Sequence, residues 1–169
     1  ASVVTRENEL VVLEGGKELW RQRLSAVTLT SPLVAGARVF TLSGDRTVAA
    51  FDAASGRKLW QQQRTGDPLV LGQSGAVYAV GDILAVGLGG RLVGFNSLNG
   101  NVRWDISVAN SRGTNEIERL VDLVAGVSRV GDSSCLRAFQ SVVACVNTTR
   151  ASVDWSKPAN GSTGLHGDA

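Results

Sequence analysis

Few residues in this 169-residue chain are equipped for chemistry, and their spacing argues against catalysis. His166 is the only histidine. It sits in a Gly-rich tail with no Cys, Asp or Glu at metal-ligand spacing. The acidic residues fall mostly in turn-like clusters and form no convergent group. Cys135 and Cys145 fit neither a zinc cluster nor a disulfide framework. With a two-residue hairpin at Gln140 and Ser141, Phe139 faces Val142, Cys135 faces Val146 and Cys145 faces Leu136. Strand alternation then puts the two sulfurs on opposite faces, which favours two buried thiols. A bulge would change this, so a disulfide stays open. Recognition chemistry is better represented. Leu69 and Leu71 lie in 67–74, where apolar side chains stand in place of a polar connection. Residues 116–122 are charged and apolar by turns, with Arg119, Leu120 and Asp122 at their end. Each group also has a plain structural reading: leucine is the commonest core residue, and Arg119 and Asp122 can pair with each other or with neighbouring turns.

Both stretches interrupt a repeat. Ala50, Asp52, Gly56 and Trp60 form a figure of a small residue, a turn-capping side chain, a turn glycine and a Trp four residues later. It returns as Gly94, Asn96, Gly100 and Trp104. It returns loosely between Leu10 and Trp20, with Gly16 before the Trp, and between Cys145 and Trp155, with Asn147 and Ala151 in the Asp and Gly places. All four tryptophans are used. Such a period marks a repeat architecture. The Trp suits the wedge between two packed sheets, because its indole N–H still finds an acceptor there. The glycine supplies a positive φ, and Asp or Asn caps the turn.

Between the tryptophans the chain reads as short strands and tight turns. Residues 2–5, 9–13 and 17–23 form three strands. The next unit has strands at 27–34, 38–42, 47–52 and 57–62, with Pro32 suggesting an edge or irregular position. Strands at 73–80, 83–87, 91–96 and 101–107 follow, then 123–130, 134–139, 142–147 and 151–156. Four antiparallel strands in about 40 residues, ending on a Trp, make one blade of a β-propeller. The fold expected is therefore all-β, with about four blades of four-stranded antiparallel sheet over units 1–23, 24–63, 64–107 and 108–156. The tail 157–169 is frayed or contributes a strand, 163–168, of the next blade. Successive tryptophans are 40, 44 and 51 residues apart, and the two increments fall on the lead-ins 67–74 and 109–122. Insertions in such arrays map to loops on one face, often the binding face.

Composition narrows the classes. The chain is 43% hydrophobic but only 5% aromatic, with 20 glycines, which suits short strands and tight turns. A net charge of +2, with no basic block, gives no support for a nucleic-acid partner. No apolar run approaches the ~20 residues of a membrane helix. No signal peptide is visible, and the chain opens inside a strand-like run, which fits removal of an upstream segment.

The repeated figure resembles the tryptophan-docking motif of the quinoprotein-like (PQQ-type) β-propellers. Within them, the segment 112–122, followed by Ala138-Phe139-Gln140 and Ala144-Cys145-Val146, resembles the BamB family of outer-membrane protein assembly lipoproteins, in wording closest to β-proteobacterial members. The resemblance covers the whole chain. It implies a non-enzymatic scaffold with no cofactor, built on an eight-bladed propeller and lipid-anchored at the periplasmic face of the outer membrane. The scaffold binds the POTRA domains of BamA and assists folding and insertion of outer-membrane proteins, whose unfolded forms are further candidate partners. The family's contact loops map onto Leu69 and Leu71, and onto Arg119, Leu120 and Asp122. Gly72 stands where the family has an Arg, and Val124 where it has an Asp. The implied docking residues are Trp20, Trp60, Trp104, Trp155, Gly56 and Gly100. A periplasmic setting also permits a disulfide. The chain is half the length that eight blades need, so a fragment or engineered half is expected, with two copies able to close head to tail. The alternatives are a generic propeller interaction module, an inactive proteolytic half-propeller and, last, a fragment of a PQQ-dependent dehydrogenase.

Overall fold

Alternating apolar residues and closely spaced turns build sheets in sequence order. The computed structural model describes residues 1–65, 74–109, 121–162 and 165. Within them lie 15 strands and no helix. Ser2–Val4 (β1), Glu9–Glu14 (β2) and Lys17–Arg23 (β3) form a three-stranded sheet. Three four-stranded sheets follow. The second holds Leu33–Ala35 (β4), Arg38–Leu42 (β5), Thr47–Asp52 (β6) and Lys58–Gln63 (β7). The third holds Val77–Val80 (β8), Ile83–Leu88 (β9), Arg91–Asn96 (β10) and Val102–Ser107 (β11). The fourth holds Leu123–Val130 (β12), Ser133–Ala138 (β13), Val142–Asn147 (β14) and Ser152–Pro158 (β15). Every pairing is antiparallel between consecutive strands, so each sheet is a meander.

The sheets stack face to face, with an apolar layer in each gap. Leu10, Val12 and Trp20 meet Val39, Ala49 and Phe51 in the first gap. Phe40, Leu42, Ala50 and Trp60 meet Leu84, Val86, Val93 and Phe95 in the second. Ala85, Leu92 and Ile106 meet Leu136, Ala138, Ala144 and Val146 in the third, with Trp104 packed against them. The two middle sheets are buried on both faces, which is why β5, β6, β9 and β10 read as nearly continuous apolar runs.

The repeated figure has one geometry. Trp60 opposes Ala50, Trp104 opposes Gly94 and Trp155 opposes Cys145. A bulge follows each of these pairs and re-aims the last strand. In the first sheet Trp20 opposes Val12 and not Leu10, because the Gly15–Gly16 turn is shorter. Trp20 then crosses the gap to the next turn. A Cβ placed on Gly56, whose φ is +72°, would lie 2.6 Å from the Trp20 ring, and the indole N–H donates to the Ala53 carbonyl at 2.8 Å. Trp60 repeats this on Gly100, with 2.6 Å to the ring and a 3.0 Å bond to the Ser97 carbonyl. Ala151 takes the equivalent turn position in the fourth sheet at φ +54°. Asp52 Oδ1 accepts from the Ser55 amide and hydroxyl, and these bonds hold its carboxyl below the usual range.

Two local expectations are corrected. The strand expected over 27–34 is confined to Leu33–Ala35. The chain before it is tied to side chains instead: Asn8 donates to the carbonyls of Leu24 and Ala26 and accepts from the Thr28 amide. The hairpin joining β13 and β14 has three loop residues and not two, since Ala138 pairs with Val142 and Gln140 turns with φ +46°. The register therefore shifts by one residue. Cys135 comes to face Cys145, and the two form a disulfide. The sulfurs lie on one face, not on opposite faces.

Candidate partner-binding face

Each sheet is entered by a segment that runs from the last strand of one sheet to the first strand of the next. Three such segments are 24–32, 64–76 and 108–122. Of the residues singled out for recognition, Leu69, Leu71, Arg119 and Leu120 lie outside the described residues, as do Gly72 and His166. Asp122 is described. What the structure supplies is the footing from which these segments rise.

The second segment starts at Arg64, whose amide reaches the Arg46 carbonyl at 3.4 Å. The Arg64 guanidinium pairs with Asp105 Oδ2 at 2.8 Å, and Asp105 Oδ1 accepts from Arg91 at 2.7 Å. This partly exposed triad contributes little to stability, about 0–1 kcal/mol per pair. The third segment starts with the Val108 and Ala109 amides both donating to the Gly90 carbonyl, at 3.0 and 2.9 Å.

The two segments end side by side. Gly75 bridges Val124 in antiparallel fashion. The Ala76 amide donates to the Leu123 carbonyl at 3.0 Å, and the Ala125 amide to the Ser74 carbonyl at 2.8 Å. The Leu123 amide donates to the Gly89 carbonyl, and the Asp122 carbonyl accepts from the Phe139 amide, both at 3.0 Å. Leu123 enters only because β9 offers a glycine: a Cβ on Gly87 would stand 2.8 Å from the Leu123 Cβ. Asp122, Leu123 and Val124 line a shallow recess with Leu29, Thr30, Ser74 and Gly75. Val124 is buried there.

The first segment joins the same recess, and sequence reasoning missed it. Its polarity is inverted. Thr28 and Thr30 are buried, while Val27 and Leu29 are 66% and 54% exposed. The threonines turn inward to satisfy hydrogen bonds. Thr28 Oγ1 lies 2.9 Å from Ser43 Oγ, and Thr30 Oγ1 accepts from the Gly75 amide at 3.0 Å. Ser74 Oγ donates to the Leu29 carbonyl at 3.3 Å. The available signal was the Val-Thr-Leu-Thr alternation, which has the period of a strand and does not say which side faces inward. The face thus carries two exposed aliphatic side chains at i and i+2, beside a carboxylate and a recess. Its chemistry is suited to docking a protein surface. Among the described residues no group of three His, Cys, Asp or Glu is placed to hold a metal ion.

Sequential antiparallel meanders, stacked face to face and locked by tryptophans on the next turn, define a β-propeller of the PQQ-like repeat class. Among solved structures the chain is similar to BamB from Moraxella catarrhalis, with a TM-score of 0.87 and 19% identity over 96% of this chain and 50% of that one. It also overlays a europium-containing methanol dehydrogenase, with a TM-score of 0.62 and 14% identity over 85% of this chain and 36% of that one. These likenesses establish the fold. The chain belongs to the outer membrane protein assembly factor BamB family, whose model matches residues 1–169. Its curated relatives include BamB of Bordetella pertussis, 31% identical over 97% of this chain and 43% of that protein. BamB of Burkholderia pseudomallei is 30% identical over 90% and 41% respectively. The chain spans less than half the length of these relatives.

Proposed function

We propose that this chain is a non-enzymatic part of an outer-membrane protein assembly scaffold, acting at the periplasmic face of the outer membrane. It docks the POTRA domains of BamA through the two lead-ins and so helps outer-membrane proteins fold and insert. The lipid anchor belongs to the full-length family. The observation that carries the reading is the junction of the lead-ins at Gly75 and Val124. It brings the described ends of the two lead-ins, Ser74–Gly75 and Asp122–Val124, side by side. Family membership and the curated relatives' name as assembly factors support it. Docking falls to Leu69, Leu71, Arg119, Leu120 and Asp122, as hydrophobic anchors flanked by a charged pair.

The test is capture by an immobilised periplasmic fragment of BamA. Asp122→Arg and Leu69→Asp should each weaken binding about tenfold or more, which is the range of interface hot spots. Lys17→Ala, on an exposed outer strand, should leave it unchanged. Binding that is insensitive to both lead-in substitutions would overturn the assignment.

A further inference from the structure

The three gaps between sheets follow one plan but are filled differently. In each, one row of three residues crosses the face that fronts the preceding sheet. The row is Thr41, Ala49 and Gln61 in the first gap, Val86, Val93 and Asp105 in the second, and Leu136, Ala144 and Ser156 in the third. Leu24, four residues past Trp20, takes the place that Arg64 holds past Trp60. The second gap is therefore closed by aliphatic side chains and by the Arg64–Asp105 pair, and the first is not. An open cleft of about 350 Å³ remains there, within the ~300–1,000 Å³ of small-molecule sites. Residues of β3, β5, β6 and β7 and of the connections after β3 and β5 line it. None of β1 does, so the cleft lies between two sheets and away from the edge of the first. Val39, Ala49 and Phe51 face this gap, and strand alternation puts Thr41 with them. Thr41 is only 2% exposed, so its side chain opens on the cleft and not on bulk water. Lys58 pairs with Phe51 and shares that face. Its Nζ donates to Gln61 Oε1 at 2.9 Å, which leaves the Gln61 amide nitrogen as a donor. The charged residues lining the cleft are Lys58 and Arg23, with no Asp or Glu.

We propose that this cleft binds a carboxylate, seated over Ala49 between the Thr41 hydroxyl and the Gln61 amide, with the Lys58 ammonium as its counter-charge. The repeat supplies the argument. The second gap carries its own carboxylate, Asp105, and sets two arginines on it, whereas the first gap keeps donors and cations and lacks the acid. Ala49, where the second gap has Val93, leaves the room. The ligand is a small carboxylic acid or the acidic side chain of a polypeptide. The site uses no residue of the two lead-ins.

Amide NMR titration of the intact chain tests this. Butyrate, at ionic strength matched with sodium chloride, should give saturable shifts at the Thr41 and Ala49 backbone amides and at the Gln61 side-chain amide. Butyramide has the same shape without the charge and should bind about tenfold or more weakly, because the charge-assisted bond to Lys58 is lost. Lys58→Ala should weaken butyrate by a similar factor. Ala49→Val copies Val93 of the next gap and should abolish the shifts by filling the seat. Thr41→Val copies Val86 and removes a donor, so it should also weaken binding, and it serves where the Ala49 variant loses its dispersed β-sheet spectrum. A capped Gly-Glu-Gly peptide separates the sources. Shifts at the same amides place the ligand on a polypeptide, and shifts with butyrate alone place it on a small acid. No saturable shift with either probe, equal binding of butyrate and butyramide, or wild-type binding by the folded Lys58→Ala variant would each overturn the proposal.

Discussion

Replacing Gly56 by alanine separates the two roles that a turn glycine plays here. An L-residue at φ +72° carries left-handed strain, about 1–2 kcal/mol. The added methyl would also sit 2.6 Å from the Trp20 ring, where ordinary contact needs about 3.5–4 Å. The ring must move by about 1 Å, yet it is wedged against Phe51 and its N–H is bonded to the Ala53 carbonyl. Overpacking of this kind costs about 1–3 kcal/mol, and loss of the indole bond about another 1. Gly81 is the control: its φ is +56°, and a Cβ there meets nothing within 4 Å. Gly81→Ala should lose only the strain. The two variants should therefore differ by about 2 kcal/mol or more, or about 1 M in urea midpoint for a domain with an m-value near 2 kcal/mol/M. The assay is equilibrium urea unfolding at pH 7. Equal losses in the two variants would refute tryptophan docking as the reason for the glycine.

Two further outcomes follow from the turns and the hairpin. The Asp52 carboxyl is held below its usual range, first by the Ser55 hydroxyl, so its contribution is present above the ordinary carboxylate value near 4 and is lost as pH falls through the lowered folded value. Asp52→Asn keeps an Oδ1 acceptor, as Asn96 and Asn147 do in their turns, so it should melt like the wild type at pH 7 and lose less stability than the wild type between pH 5 and pH 2; an identical acid loss would refute the assignment. The Cys135–Cys145 bridge closes a loop with a separation of 10 residues, worth about 3 kcal/mol by loop entropy, so the oxidised chain should take up no alkylating reagent until reduced and should then unfold at lower urea; two thiols alkylated without reductant would refute the bridge.

The architecture was legible because the same small set of residues recurs wherever two sheets must interlock. Ala50 and Trp60, or Gly94 and Trp104, carry their role in residue type and spacing alone. What escaped depended on a single residue of register. Nothing in Phe139, Gln140 and Ser141 marks a three-residue loop, since the positive φ falls on Gln140 and not on a glycine. One residue of slip exchanges the faces of a strand, and with it free thiols become a disulfide. The segment 24–32 escaped for another reason. Its Val-Thr-Leu-Thr pattern has the period of a strand, but the inward side is decided by partners distant in sequence: Ser43 for Thr28 and Gly75 for Thr30. Periodicity reports that two faces differ, and long-range hydrogen bonds decide which one is buried. At the candidate site, the lead-in positions Asp67–Ser74 and Ala109–Asp122 were legible as departures from even Trp spacing, whereas their meeting at Gly75 and Val124 is a tertiary fact.

The division of labour between repeat and connector has a physical cause. Where the figure is complete, its chemistry is already spent. The indole N–H of Trp20 is taken by a carbonyl, its ring by a glycine, and Asp52 by its own turn. Such residues have nothing left to offer a partner without breaking the stack. The connectors carry the opposite balance. The backbone of 24–32 lies outside the ladders, so side chains meet its polar groups: Asn8 accepts from the Thr28 amide, Thr28 Oγ1 donates to the Ala26 carbonyl, and Ser74 Oγ donates to the Leu29 carbonyl. Apolar side chains on the same segment are then turned toward solvent. Leaving Val27 and Leu29 exposed forgoes about 1.5–3 kcal/mol of burial for each relative to a core position. That free energy is recoverable only by covering the face with another surface, which is why the proposed docking site is placed on the breaks in the repeat.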